Sequence, residues 1–92
     1  MSRPTETEYA PPYQTYVSHA TEDDILPAMR SQIDALDLLL DRVTPERETY
    51  AYAEGKWTIR QIVGHLIDGE RVFGYRVLCI ARGEMQDLPG FD

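Results

Sequence analysis

The sequence predicts an all-α fold: two long amphipathic helices that run up and down as a hairpin and form half of a helical bundle. Three observations carry this reading. Leu26, Met29, Ile33, Leu36, Leu40 and Val43 fall at alternating steps of three and four, which places them on one seam of a helix. Ile59, Ile62, Val63, Leu66, Phe73, Val77 and Ile80 gather within an arc of about 100° on a wheel of about 100° per residue, a second apolar stripe. The segment between the two stripes is short, and bundle helices joined by short loops lie antiparallel.

Residues 1–20 are rich in Pro, Tyr and Thr, among them Pro4, Pro11, Pro12, Tyr9, Tyr13 and Tyr16, without a sustained period of either helix or strand. They read as an extended arm. Its tyrosines can pack on a helical surface while their hydroxyls stay wet; the alternative is a disordered tail. Thr21, Glu22, Asp23 and Asp24 supply a capping oxygen and acids suited to the positive end of a helix dipole. Pro27 moves the expected start toward Asp24, because proline is tolerated in a first turn, where its missing amide hydrogen costs little. This helix should stop around Val43 to Pro45, since proline disfavours helix in the residue before it.

Glu46 to Lys56, with Tyr50, Tyr52 and Gly55, reads as the connecting loop. Thr58 caps the second helix, which should run to about Arg82 before Gly83 ends it. Residues 21–83 therefore form the hairpin. At ~1.5 Å per residue, helices of ~20 to 25 residues span ~30 to 37 Å. Residues 84–92, with Pro89 and Gly90, form an irregular tail.

The 92 residues make one small domain, and a chain this short buries proportionally little of its surface. Its 42% hydrophobic content excludes the low-hydrophobicity bias of a disordered chain. A formal charge of −7 excludes nucleic acid as a natural partner, because such binding is mostly neutralisation of phosphates by Lys and Arg. The single Cys79 cannot form an internal disulfide. Met1 to Glu8 has neither the apolar core of a signal peptide nor an Arg-rich transit pattern, and no apolar run approaches the ~20 residues of a bilayer-spanning helix. A cytoplasmic protein that stays off the membrane is expected.

The candidate metal ligand is His65. It lies about 100° from the centre of the second stripe, on a half-buried flank shared with Gly69 and Arg76. A neutral imidazole there can bind a divalent metal, and Gly69 one turn on leaves space beside it. The alternative is a boundary histidine hydrogen-bonded to a neighbour. No second His or Cys follows His65 by three or four residues, and His19 lies in the arm. A catalytic metal normally takes about three protein ligands, so the chain is not expected to hold a complete site. Glu70 projects from the apolar stripe, where an unpaired carboxylate would be costly; an antiparallel register brings Arg30 level with it. The same register sets Asp37 near His65, either as an acceptor that orients the imidazole or as a solvated boundary residue. Cys79 reads as a small boundary residue, since no His or cation cluster is placed to activate it.

Tyr52-Ala53-Glu54-Gly55-Lys56-Trp57-Thr58-Ile59-Arg60, Gly64-His65-Leu66-Ile67-Asp68-Gly69-Glu70-Arg71, Tyr75-Arg76, Ile80-Ala81-Arg82-Gly83 and Leu88-Pro89-Gly90-Phe91-Asp92 together resemble the DinB-like superfamily of metalloenzymes. Arg3-Pro4 and Glu8-Tyr9-Ala10-Pro11 extend the likeness into the arm. The resemblance implies an up-and-down four-helix bundle that holds nickel or zinc through three histidines, the first of which matches His65. It also implies a bacterial metal-dependent transferase acting with a small-molecule thiol, or a hydrolase.

Family members carry the other two histidines on a later helix as His-x-x-x-His, which has no counterpart between Gly83 and Asp92. Glu54 also stands where the family tends to have proline. Two functions follow as expectations. In one, the chain is a catalytic half completed elsewhere, and the metal is absent from the isolated chain. In the other, it is a non-catalytic dimerisation module, in which two hairpins rebuild the bundle as a homodimer.

Overall fold

The computed structural model describes residues 1–91, which are helical and irregular with no strand among them; Asp92, the last residue of the expected tail, lies outside the described residues. The helices are α1 (Gln14–His19), α2 (Ile25–Leu40) and α3 (Ile59–Ala81), with single 3-10 turns at Pro11–Tyr13 and Pro45–Arg47. The chain divides into two compact units, Met1–Val43 and Thr44–Asp92. Each holds one of the two long helices expected from the apolar stripes.

In the first unit α2 starts at the later of the two expected positions. Asp24 is the N-cap, with extended backbone, and its carboxylate accepts the Leu26 amide at 3.2 Å. Pro27 occupies the first turn, where its amide would have had no partner. The helix ends at Leu40, short of the expected Val43. The amides of Arg42 and Val43 turn to the carbonyls three residues back, at 3.2 and 2.9 Å, and Thr44 before Pro45 is extended.

The arm is not extended throughout, which corrects the sequence reading. Pro11 opens a 3-10 turn that leads into α1. Arg3 donates to the carbonyls of Val17, at 3.2 Å, and Ala20, at the C-terminal end of α1, where carbonyls lack helical partners. The Ile25 amide donates to the Met1 carbonyl at 3.3 Å, and the Met1 ammonium lies 3.0 Å from the Asp24 carboxylate. A six-residue helix is too short to show a period, and its tethers come from residues far along the chain.

In the second unit the loop prepares the start of α3. The Thr58 hydroxyl accepts the Gln61 amide at 3.2 Å, and the Gln61 side chain accepts the Thr58 amide at 2.8 Å, a reciprocal capping box. The next two free amides go to loop carbonyls: Ile59 to Tyr50 at 3.0 Å and Arg60 to Glu48 at 2.9 Å. Gly55, at φ +74°, makes the turn that brings Trp57 up to the cap. Gly83, at φ +88°, ends α3 as expected. Its amide bonds the Ile80 carbonyl at 3.0 Å and the Glu84 amide bonds Cys79 at 3.0 Å, a Schellman closure.

The sides of the helices are less satisfied than their ends. Among the described residues only Ala28 is buried. On α2, Leu26, Met29 and Ile33 are more than half exposed, Ile33 at 63%; on α3, Phe73, Val77 and Ile80 are likewise, Ile80 at 69%. No helix among the described residues is long and apolar enough to cross a membrane.

Candidate functional site

His65 sits in the second turn of α3, close behind the cap. Side chains on a helix lean toward its N-terminus, so the imidazole reaches back to the end of the loop, where Trp57 stands. The indole and imidazole meet edge to face, with centroids 4.8 Å apart and planes at 67°. Phe91, from the tail, stacks on the imidazole face in an offset arrangement, with centroids 5.6 Å apart and planes within 7°.

The tail reaches this position by running back along α3. Arg76 donates to the Pro89 carbonyl at 2.6 Å, and its guanidinium lies 5.4 Å from the Phe73 ring centroid. Residues 88–91 line a groove with Val72, Tyr75 and Arg76. Gly69, Val72, Arg76 and Cys79, at helical spacing from His65, are half-buried. The flank on which the sequence placed His65, Gly69 and Arg76 is therefore real, and the tail is what lies on it.

The sequence reading needs two corrections, one at His65 and one at Glu70. His65 is exposed, not half-buried: Trp57 and Phe91 touch its ring without enclosing it. Among the described residues its imidazole has no hydrogen-bond partner. Glu70 is exposed, so its carboxylate keeps its water and the burial cost that called for Arg30 does not arise. A β-carbon at Gly69 would meet nothing within 4 Å, so packing does not demand the glycine.

Asp37 is an exposed residue of α2, and His19 ends α1 in the first unit. Cys79 is a free, half-buried thiol; its interaction with the Tyr75 phenol holds that hydroxyl above its ordinary range. A cavity of about 650 Å³ lies between Arg3, Tyr16, Val17 and Ile25, a feature the sequence did not signal.

No group of three or more His, Cys, Asp or Glu residues that could hold a metal ion occurs among the described residues. A divalent metal held at a catalytic site takes about three protein ligands, so the residues present do not fit one by themselves. His65 offers a single donor.

A family model described as the DinB superfamily matches residues 28–92. The chain belongs to the DinB superfamily. The DinB match starts within α2 and takes in all of α3, Trp57, His65 and the tail, while the arm precedes it. No curated protein matches the chain, and no solved structure does. Within the DinB region, the sequence reading identified His65 but missed its two aromatic neighbours. A tryptophan at the cap of the His65 helix was the available signal for one of them. Phe91 left none, because only the fold of the tail brings it near.

Proposed function

We propose that this DinB-family chain contributes His65 as one ligand of a divalent metal site, nickel or zinc, whose other ligands come from outside the described residues. Metal-dependent chemistry on a small-molecule thiol, of the transferase or hydrolase class, then belongs to the completed assembly and not to the isolated chain. The supporting observation is the state of the imidazole: exposed, held by two aromatic rings, and without a hydrogen-bond partner among the described residues. A metal ligand must keep one nitrogen free for the ion.

The test is a nickel titration followed by NMR. Paramagnetic broadening should reach the His65 ring signals before those of His19, and His65→Ala should remove the early phase. Equal broadening of both histidines would overturn the reading. Purified chain on its own should hold less than one equivalent of nickel or zinc by elemental analysis.

A second reading is favoured by the exposed stripes of α2 and α3. Two copies associate through these faces as a homodimer, and the chain serves as a helical association module. About six Leu- or Ile-type side chains per helix, at roughly 1.5 to 3 kcal/mol each when fully buried, provide the drive. Light scattering should give a dimer; a monodisperse monomer at micromolar concentration would rule this out. The nickel titration separates the readings, since a pure association module shows no preferential broadening at His65.

A further inference from the structure

We infer that residues 88–91 act as a strap that fixes the presentation of the His65 imidazole, with Phe91 and Trp57 as positioning residues and Arg76 as the anchor. Three features carry this. Phe91 lies nearly parallel to the imidazole at 5.6 Å, so its ring restricts rotation of His65 about its last side-chain bond. Trp57 meets the same imidazole edge-on at 4.8 Å, so the two aromatic contacts differ in direction and together define one ring orientation. The tail is held by a charge-assisted bond from Arg76 to the Pro89 carbonyl at 2.6 Å, two residues before Phe91.

The elements that carry these groups are themselves fixed. Trp57 immediately precedes the capping box, and the tail leaves α3 through the Schellman closure at Gly83. Glu84 then accepts the amides of Met85 and Gln86 at 2.9 and 2.8 Å, which turns the chain back toward the helix. Phe91 is 37% exposed, so the strap covers the imidazole face without sealing it. The consequence is directional. A group approaching His65 does so from a side that neither Phe91 nor Trp57 occupies. The relevance of this to metal binding rests on the reading above; the holding of the ring does not.

The experiment uses the metal-free chain. Protons stacked over an aromatic face resonate upfield, so in the parent chain the His65 ring signals should lie upfield of those of His19. Phe91→Ala should move the His65 signals downfield and leave His19 unchanged. Arg76→Gln should move them in the same direction by a smaller amount, since it frees the tail without removing the ring. Where Phe91→Ala loses helix by circular dichroism, Phe91→Leu serves instead, because it keeps apolar bulk and has no ring current. Unchanged His65 signals in a folded Phe91 variant would overturn the strap. The nickel titration fails or succeeds independently, so a lost strap and a lost metal reading give different results.

Discussion

Replacing Ile33 with aspartate asks whether the stripe of α2 is covered by a second copy. Ile33 is 63% exposed within the chain, so most of its side chain is available for burial on association. Full burial of such a side chain is worth roughly 1.5 to 3 kcal/mol, and the exposed part therefore about 1 to 2. Aspartate forfeits that gain in each copy and adds the cost of a carboxylate forced into an apolar contact, several kcal/mol more. With two substitutions per dimer the loss is on the order of 5 to 10 kcal/mol, which weakens association by more than about a thousandfold. Were the stripe to face water in solution, the same substitution would cost within about 0.5 kcal/mol. Ala35→Asp provides the control, because it adds the same charge on the far side of α2, where the residue is also exposed. Sedimentation velocity and thermal melting at matched concentrations read the difference. A parent chain and an Ile33→Asp chain with the same mass and the same melting curve would refute the association reading.

Three further outcomes follow from local geometry. Thr58→Ala leaves the Gln61 amide without its 3.2 Å acceptor and should lower stability by about 1 kcal/mol in denaturant titrations, whereas Thr58→Ser should restore most of it; an unchanged midpoint in the alanine variant would mean that α3 does not depend on this cap. Gly69→Ala should stabilise by up to about 1 kcal/mol, since the new β-carbon meets nothing within 4 Å and alanine is the better helix former; destabilisation would mean that position 69 itself is packed against in solution. The Met1 ammonium, and after it the Leu26 amide, hold the Asp24 carboxyl below its ordinary 3.8. A depressed folded-state pKa gives stability that is present above the ordinary value and lost as pH falls through the folded one. Below pH ~4 the start of α2 should therefore fray, with the Leu26 amide signal as reporter; Asp24→Asn keeps a capping acceptor and should remove that acid transition.

Local rules explain what the sequence disclosed. Helix ends are set by a few neighbouring residues, which is why Asp24, Thr58 and Gly83 were readable and the structure places a cap or closure at each. The apolar stripes were readable because they repeat over many turns. Position 65 was legible as a histidine on a particular flank, again from helical spacing alone. Two other features depend on contacts between residues far apart in sequence, and these were not legible. Arg3 bends the arm by bonding carbonyls 14 and 17 residues on, and Phe91 reaches His65 across 26 residues only because the tail reverses. The exposure of Glu70 and His65 was misjudged for a related reason. A wheel shows which face a residue occupies, but not whether anything covers that face.

The helix ends and the helix sides point to one conclusion about how the chain is built. Both long helices have their end groups met from within their own unit: Asp24 for α2, and Thr58, Gln61 and two loop carbonyls for α3. Such caps hold a helix in register without tertiary packing, yet they contribute only about 1 kcal/mol each. Isolated helices are marginal in water, and in proteins most helical stability comes from packing of the apolar face. Here that face is the part left exposed, from Met29 and Ile33 on α2 to Val77 and Ile80 on α3. A chain so arranged has helices whose ends are specified locally and whose apolar sides remain exposed. His65 shares this condition: its ring is oriented from within the chain, by Trp57 and Phe91, while the donors that would make it a metal site must arrive from elsewhere.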